Sequence, residues 1–259
     1  MPWTFAHPAA VLPLRPWCLQ RLSFGALVVG SISPDIGYYV GWFELAAAAH
    51  TLLGLVTICL PSGLALAALV RVLHRPVARL LPNPHRQAVL SLPQMPKLLC
   101  PTTLWKVSIS ILIGAMTHVA WDSFTHATGY LVTKLPILRG PAFAVGTKTV
   151  PVFELLQHAS TAVGVAVVLM VYVRWLRSVE RETGAASHPG NRWRYRVLGV
   201  LAATSMAAAV PVAYFATSST AGITNIALFV VRYVMALTTV FAVMLSAASL
   251  LLARRTRDA

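Results

Sequence analysis

Five runs of mostly apolar residues, at about 51–72, 106–125, 153–176, 197–217 and 226–253, limit this chain to few folds. Each holds about 20 residues, the length of helix that crosses roughly 30 Å of hydrocarbon. Inside lipid, backbone groups find partners only within such helices, so the expected fold class is an all-α, polytopic membrane bundle. Composition agrees, with 57% hydrophobic and 11% charged residues and a mean hydropathy of +0.71. A soluble domain carries about 45–50% apolar and about 25% charged residues.

A further apolar segment, 21–43, is interrupted by Ser33, Pro34 and Asp35. Proline after serine more often starts a helix than continues one, so two short pieces meeting at a polar break are expected. A broken membrane segment needs protein or water over its exposed backbone. No internal repeat is evident, and the whole chain, 1–259, reads as one membrane domain. Within it 1–180 carries the chemistry, and 197–253 supplies two scaffold helices in which Ala202, Ala203, Ala207 and Ala208 suit close packing. The stretch 127–151, broken by glycines and prolines, is long enough to be a lid.

Basic residues are segregated. Arg71, Arg75, Arg79, Arg86, Lys97 and Lys106 share one connector; Arg174, Arg177, Arg181, Arg192, Arg194 and Arg196 share another; Arg254, Arg255 and Arg257 close the chain. By the positive-inside rule these lie in the cytoplasm, placing the C-terminus there and locating the protein in the bacterial cytoplasmic membrane. The same distribution argues against nucleic acid as a partner. Trp42, Trp105, Trp121 and Trp175 near helix ends fit an interfacial belt. No cleavable leader is expected at the proline-broken N-terminus, and Cys18, Cys59 and Cys100 lack metal-like spacing.

Against this background the acids are misplaced. Asp35, Glu44, Asp122 and Glu154 lie in or beside the apolar runs, where an ionised group costs roughly 2.5–3.5 kcal/mol and needs a partner or a task. His50, His118, His126 and His158 accompany them, and the topology puts all of these towards the outer face. His118-x3-Asp122-x3-His126 forms a row along one helix, within which Asp122 could bridge two ions. Glu154-x3-His158 offers a second pair, and His50 and Asp35 can complete the shell. Taken singly, each histidine reads as a packing group, and Glu44 as an interfacial residue beside Trp42. Together they predict a site for a divalent metal, with zinc favoured and one to three ions. Arg232, inside the last span, reads either as a snorkelling cation or as an anchor for a substrate phosphate or carboxylate. His74, His85 and His188 fall in basic connectors and read as solvated.

The segments Thr4-Phe5-Ala6-His7-Pro8-Ala9-Ala10, Gly30-Ser31-Ile32-Ser33-Pro34-Asp35, His50-Thr51 and His118-x3-Asp122-x3-His126 resemble an uncharacterised bacterial family of polytopic membrane proteins, a domain of unknown function, over roughly 1–180. That family is similar to membrane-bound metal-dependent hydrolases and, more remotely, to the zinc-dependent phospholipase C group. The resemblance implies His7, Asp35, His50, His118, Asp122 and His126 as ligands. Glu154-x3-His158 reverses the order of the soluble enzymes' final ligand pair. A His7 beside the other ligands further requires that 1–49 enter and leave from the outer face.

The expected function is therefore a membrane-embedded, metal-dependent hydrolase of a lipid or lipid-linked ester or phosphoester, with Asp35 or Glu154 as general base where not a ligand. An isoprenoid-processing enzyme using acid–base chemistry, or an ion-coupled carrier, would also place acids and histidines at membrane depth.

Overall fold

The computed structural model describes residues 3–19, 21–146, 148–184, 191–221 and 226–255. His188, Asn225, Arg257 and Asp258 lie outside them. The chain is mostly helical, and five helical stretches are long and apolar enough to cross a membrane: Leu52–Leu80, Pro101–Lys134, Val152–Thr183, Arg192–Ser218 and Ile226–Arg254. They coincide with the five expected spans and extend beyond them, because helical hydrogen bonding continues into the flanking basic residues.

The chain divides into two compact units. The first comprises Met1–Gly37, Trp42–Ala68 and Met95–Val173. It begins with a 3-10 turn, Thr4–Ala6, and the short helix α1 (Pro8–Val11). Helix α2 (Phe24–Ile32) is capped by Ser23, whose hydroxyl accepts from the Ala26 amide. At nine residues it rises only about 14 Å and cannot span a bilayer. Pro34 ends it, since a proline has no N–H to give the helix ladder. The chain turns through the 3-10 segment Ser33–Asp35 into α3 (Ile36–Tyr39), so the expected break is present.

Helix α4 (Phe43–Ala49) follows, then α5 (Leu52–Gly54), a π turn over Leu55–Cys59, and α6 (Leu60–Leu80). After α7 (His85–Ser91), which belongs to the second unit, comes α8 (Pro101–Thr125), the spine of the first. Gly30 of α2 and Gly114 of α8 meet back to back. A Cβ on Gly30 would fall 2.2 Å from the Ile111 carbonyl oxygen, and one on Gly114 2.2 Å from that of Leu27. Only paired glycines let the two backbones touch. Ala26, Val29, Ala67, Val107 and Ile111 close the apolar core around this crossing.

The stretch expected as an irregular lid is ordered. It holds α9 (Tyr130–Lys134), α10 (Pro136–Arg139) and an antiparallel hairpin of β1 (Pro141–Val145) and β2 (Lys148–Pro151), which leads directly into α11 (Val152–Thr183).

The second unit comprises Tyr38–Gly41, Leu69–Gln94 and Arg174–Ala259. Its helices α12 (Arg192–Ala221) and α13 (Ile226–Arg255) pack along each other. The buried stripe of α12 is Leu201, Ser205, Ala209, Ala213 and Thr217, whereas Ala203, Ala207 and Ala208 are exposed. Small residues do line this contact, but the expected alanines sit on the wrong helical phase, since positions every fourth residue share a face. Asn83 and Asn191 exchange hydrogen bonds of 3.2 and 3.3 Å in the same unit.

Candidate metal centre

Four separate pieces of the first unit bring their polar side chains to one place. His7 stands between the first turn and α1; Asp35 ends the 3-10 break; His50 is the C-cap of α4; His118 and Asp122 lie one turn apart on α8. The Gly30–Gly114 contact explains the meeting, because it holds the break after α2 against the next turn of α8. His7, Asp35, His118 and Asp122 are all buried, with His118 and Asp35 at 0% exposure.

Two of the imidazoles are held by backbone carbonyls. His118 Nδ1 donates to the Ser31 oxygen and His50 Nδ1 to that of Ala46, each at 2.7 Å. A carbonyl only accepts, so both rings carry their proton on Nδ1 and turn a lone pair inwards from Nε2. These two nitrogens lie 3.3 Å apart, too close for a useful contact between two acceptors.

The carboxylates complete the figure. Asp122 Oδ2 is 3.2 Å from His50 Nε2 and 3.3 Å from His118 Nε2. Asp35 Oδ1 is 3.6 Å from His50 Nε2 and 3.5 Å from His118 Nε2. Four ligands about 2.0–2.2 Å from a zinc ion stand about 3.3–3.6 Å from one another in a tetrahedron. Thus five of the six edges among these four atoms have the length that a four-coordinate ion requires.

Satisfaction of polar groups points the same way. His7 Nε2, Asp35 Oδ1 and Asp122 Oδ1 are buried without a hydrogen-bond partner. Each such group costs about 1–3 kcal/mol, so three facing one another are expensive unless a cation satisfies them. Two overlapping donor groups, His7–Asp35–His118 and His50–His118–Asp122, have ligand atoms within 4.8 Å of one another. His7 stacks on His118 at 3.6 Å between ring centroids, and its Nε2 lies 3.6 Å from Asp122 Oδ1. Burial pushes the His7 imidazole down to about 3, which keeps it neutral and able to ligate. Asp122 therefore turns one oxygen towards His50 and His118 and the other towards His7. This is the bridging placement its position on α8 suggested.

The remaining expected residues fall differently. Helix α8 ends at Thr125, so His126 departs from the straight row and folds back as its C-cap. Its Nδ1 meets the Asp122 carbonyl oxygen at 3.3 Å and Oδ1 at 3.5 Å, which suits an N–H that steadies the carboxylate. Glu154 and His158 belong to neither donor group among the described residues. Glu154 is half-buried in the first turn of α11. His158 is exposed because it lies about 100° around that helix from Gln157. Arg232 belongs to the second unit, where its guanidinium donates to the Ala216 carbonyl.

Sequence reasoning missed Thr4, whose hydroxyl donates to Asp35 Oδ2 and so fixes that carboxylate with Oδ1 turned inwards. The signal was present, three residues before His7, but a lone threonine advertises no role. The Ser31 and Ala46 carbonyls were invisible because backbone groups leave no mark in a sequence.

The chain belongs to the DUF4184 family, a domain of unknown function, which matches residues 1–253. The match takes in both units, well beyond the part that carries the motifs. No curated protein and no solved structure matches the chain.

Proposed function

We propose that this protein is a membrane-embedded, metal-dependent hydrolase acting on a lipid or lipid-linked ester or phosphoester. The observation that carries the reading is the set of four inward donors, Asp35 Oδ1, His50 Nε2, His118 Nε2 and Asp122 Oδ2, spaced as ligands of one ion and accompanied by unsatisfied buried atoms.

A divalent ion held there would lower the pKa of water towards 7 and polarise a phosphoryl or acyl oxygen. The chain's own residues supply the rest. Ser31 and Ala46 hold His118 and His50 in the ligating tautomer, and the two carboxylates offset the ion's charge where water is scarce. Of the two acids expected as base, Asp35 is committed among the donors. His126, half-buried and beside Asp122, is placed to carry the proton. In the overall reaction the water oxygen bonds to phosphorus or to the acyl carbon, the bond to the alcohol oxygen breaks, and that oxygen takes the proton.

Zinc suits an imidazole and carboxylate set, and two ions sharing Asp122 fit its divided oxygens. By charge segregation the basic connectors face the cytoplasm and the centre faces the outer side. The test is product release from lipid monoesters, diesters and carboxylic esters by purified protein, with chelation and metal add-back. Activity should vanish with chelator, return with metal and fall at least about 100-fold in Asp122→Asn, the scale of a lost catalytic ligand interaction. Release that survives both chelation and Asp122→Asn would overturn the proposal.

A further inference from the structure

A cavity of about 230 Å³ lies beside the metal donors in the first unit, walled by Ala6, Ala9 and Ala10 of the N-terminal segment, Trp121 of α8, and Val163 and Val167 of α11. His7, whose Nε2 is among the unsatisfied atoms facing Asp122, also lines it. The slot exists because Gly164 lets α11 approach the chain at Ala6: a Cβ there would come 2.9 Å from the Ala6 Cβ and 3.0 Å from its carbonyl oxygen. The Trp3 amide donates to Thr161 Oγ1 at 3.2 Å, tying the same two segments together.

The wall is almost wholly apolar. Ser160, its one hydroxyl, donates to the Gln157 carbonyl and is thereby satisfied within the helix. Val163 is 62% exposed and Trp121 47%, so the slot opens on the surface that faces lipid. Its polar end is His7 and its other walls are hydrocarbon. An apolar cavity of about 150 Å³ accepts benzene, while pockets for drug-sized ligands begin near 300 Å³; this one has room for a single chain segment and not for two.

We infer that this slot takes one hydrocarbon chain of the substrate, with the chain's polar ester or phosphate end directed past His7 to the metal donors. The inference rests on the hydrolase reading and narrows its substrate to a lipid that presents one unbranched apolar chain. Entry is lateral, from the bilayer, between α1 and α11.

The probe is an alkyl phosphate carrying a photoactivatable diazirine at the end of its chain, added to the full-length protein in phosphatidylcholine nanodiscs, with crosslinks mapped by peptide mass spectrometry. Crosslinks are expected in the peptides holding Ala9, Ala10, Val163 and Val167. They should fall about tenfold in Val163→Trp and in Ala10→Leu, roughly what excluding about two methylenes from an apolar site is worth. These variants fill the slot from opposite walls and touch no metal donor. Crosslinks spread over the exposed faces of α12 and α13, or unchanged in both variants, would overturn the inference. Metal content is read on the same samples. Wild type without metal would sink the hydrolase reading, while the crosslinks would still decide whether the slot receives a chain.

Discussion

Asp122 has more to do than any other side chain in this protein. One carboxylate oxygen faces His50 and His118, the other faces His7, and His126 steadies it from the helix end. The support of Asp35 is smaller and more easily tested. Thr4→Val removes the hydroxyl that fixes Asp35 without touching a ligand. Loss of such a supporting bond costs about 10–100-fold in metal affinity, so a competition titration should show that weakening with the helical content unchanged. His158→Ala is the control on the opposite side: exposed and off the donor groups, it should leave metal content as in wild type. Acidity gives a third test. Protons compete with the ion for imidazole nitrogen, so affinity should fall as pH drops below about 6.5, and a value independent of pH between about 5.5 and 7.5 would argue against histidine ligation. The ligating residue types were legible in the sequence because ionisable groups are so costly in apolar runs. Which atoms they use was not, since that depends on carbonyls supplied by Ser31 and Ala46.

Among the elements, the crossing of α2 and α8 does most to build the centre. Gly114→Val would drive a side chain into the Leu27 carbonyl and the Ser31 amide, the latter at 2.7 Å from the added Cβ. Overpacking of this kind costs at least about 1–3 kcal/mol, and here it would also push Ser31 away from His118. Thermal unfolding in detergent should show the loss of stability, and bound metal should drop with it; a variant with unchanged melting and metal would show that the contact is dispensable. The break at Ser33-Pro34-Asp35 could be read in advance, because proline acts locally. The Gly30–Gly114 contact could not, since it joins residues 84 positions apart and a glycine in an apolar run has many uses. The stripe on α12 was misread for a related reason: that helix is rich in alanine on several faces, and only its packing against α13 selects the phase.

At the scale of the whole molecule, the five spans were legible because length and hydropathy alone decide them. Orientation rests on charge, and it can be measured. In a cysteine-free background, single cysteines at Lys97 and at Lys134 should react on opposite sides of the membrane, the first with cytoplasmic reagent only; both labelling from one side would refute the assigned topology. The order within 127–151 was not legible, because short helices and a hairpin assembled from glycines and prolines carry no periodic signal. The central claim is that the buried histidines and aspartates form a metal centre. It is tested most directly by elemental mass spectrometry of the purified protein beside Asp122→Ala and His118→Ala. The account predicts near-stoichiometric divalent metal in wild type and its loss in both variants. Folded wild type that holds no metal at any supply, or variants that keep it, would contradict the account.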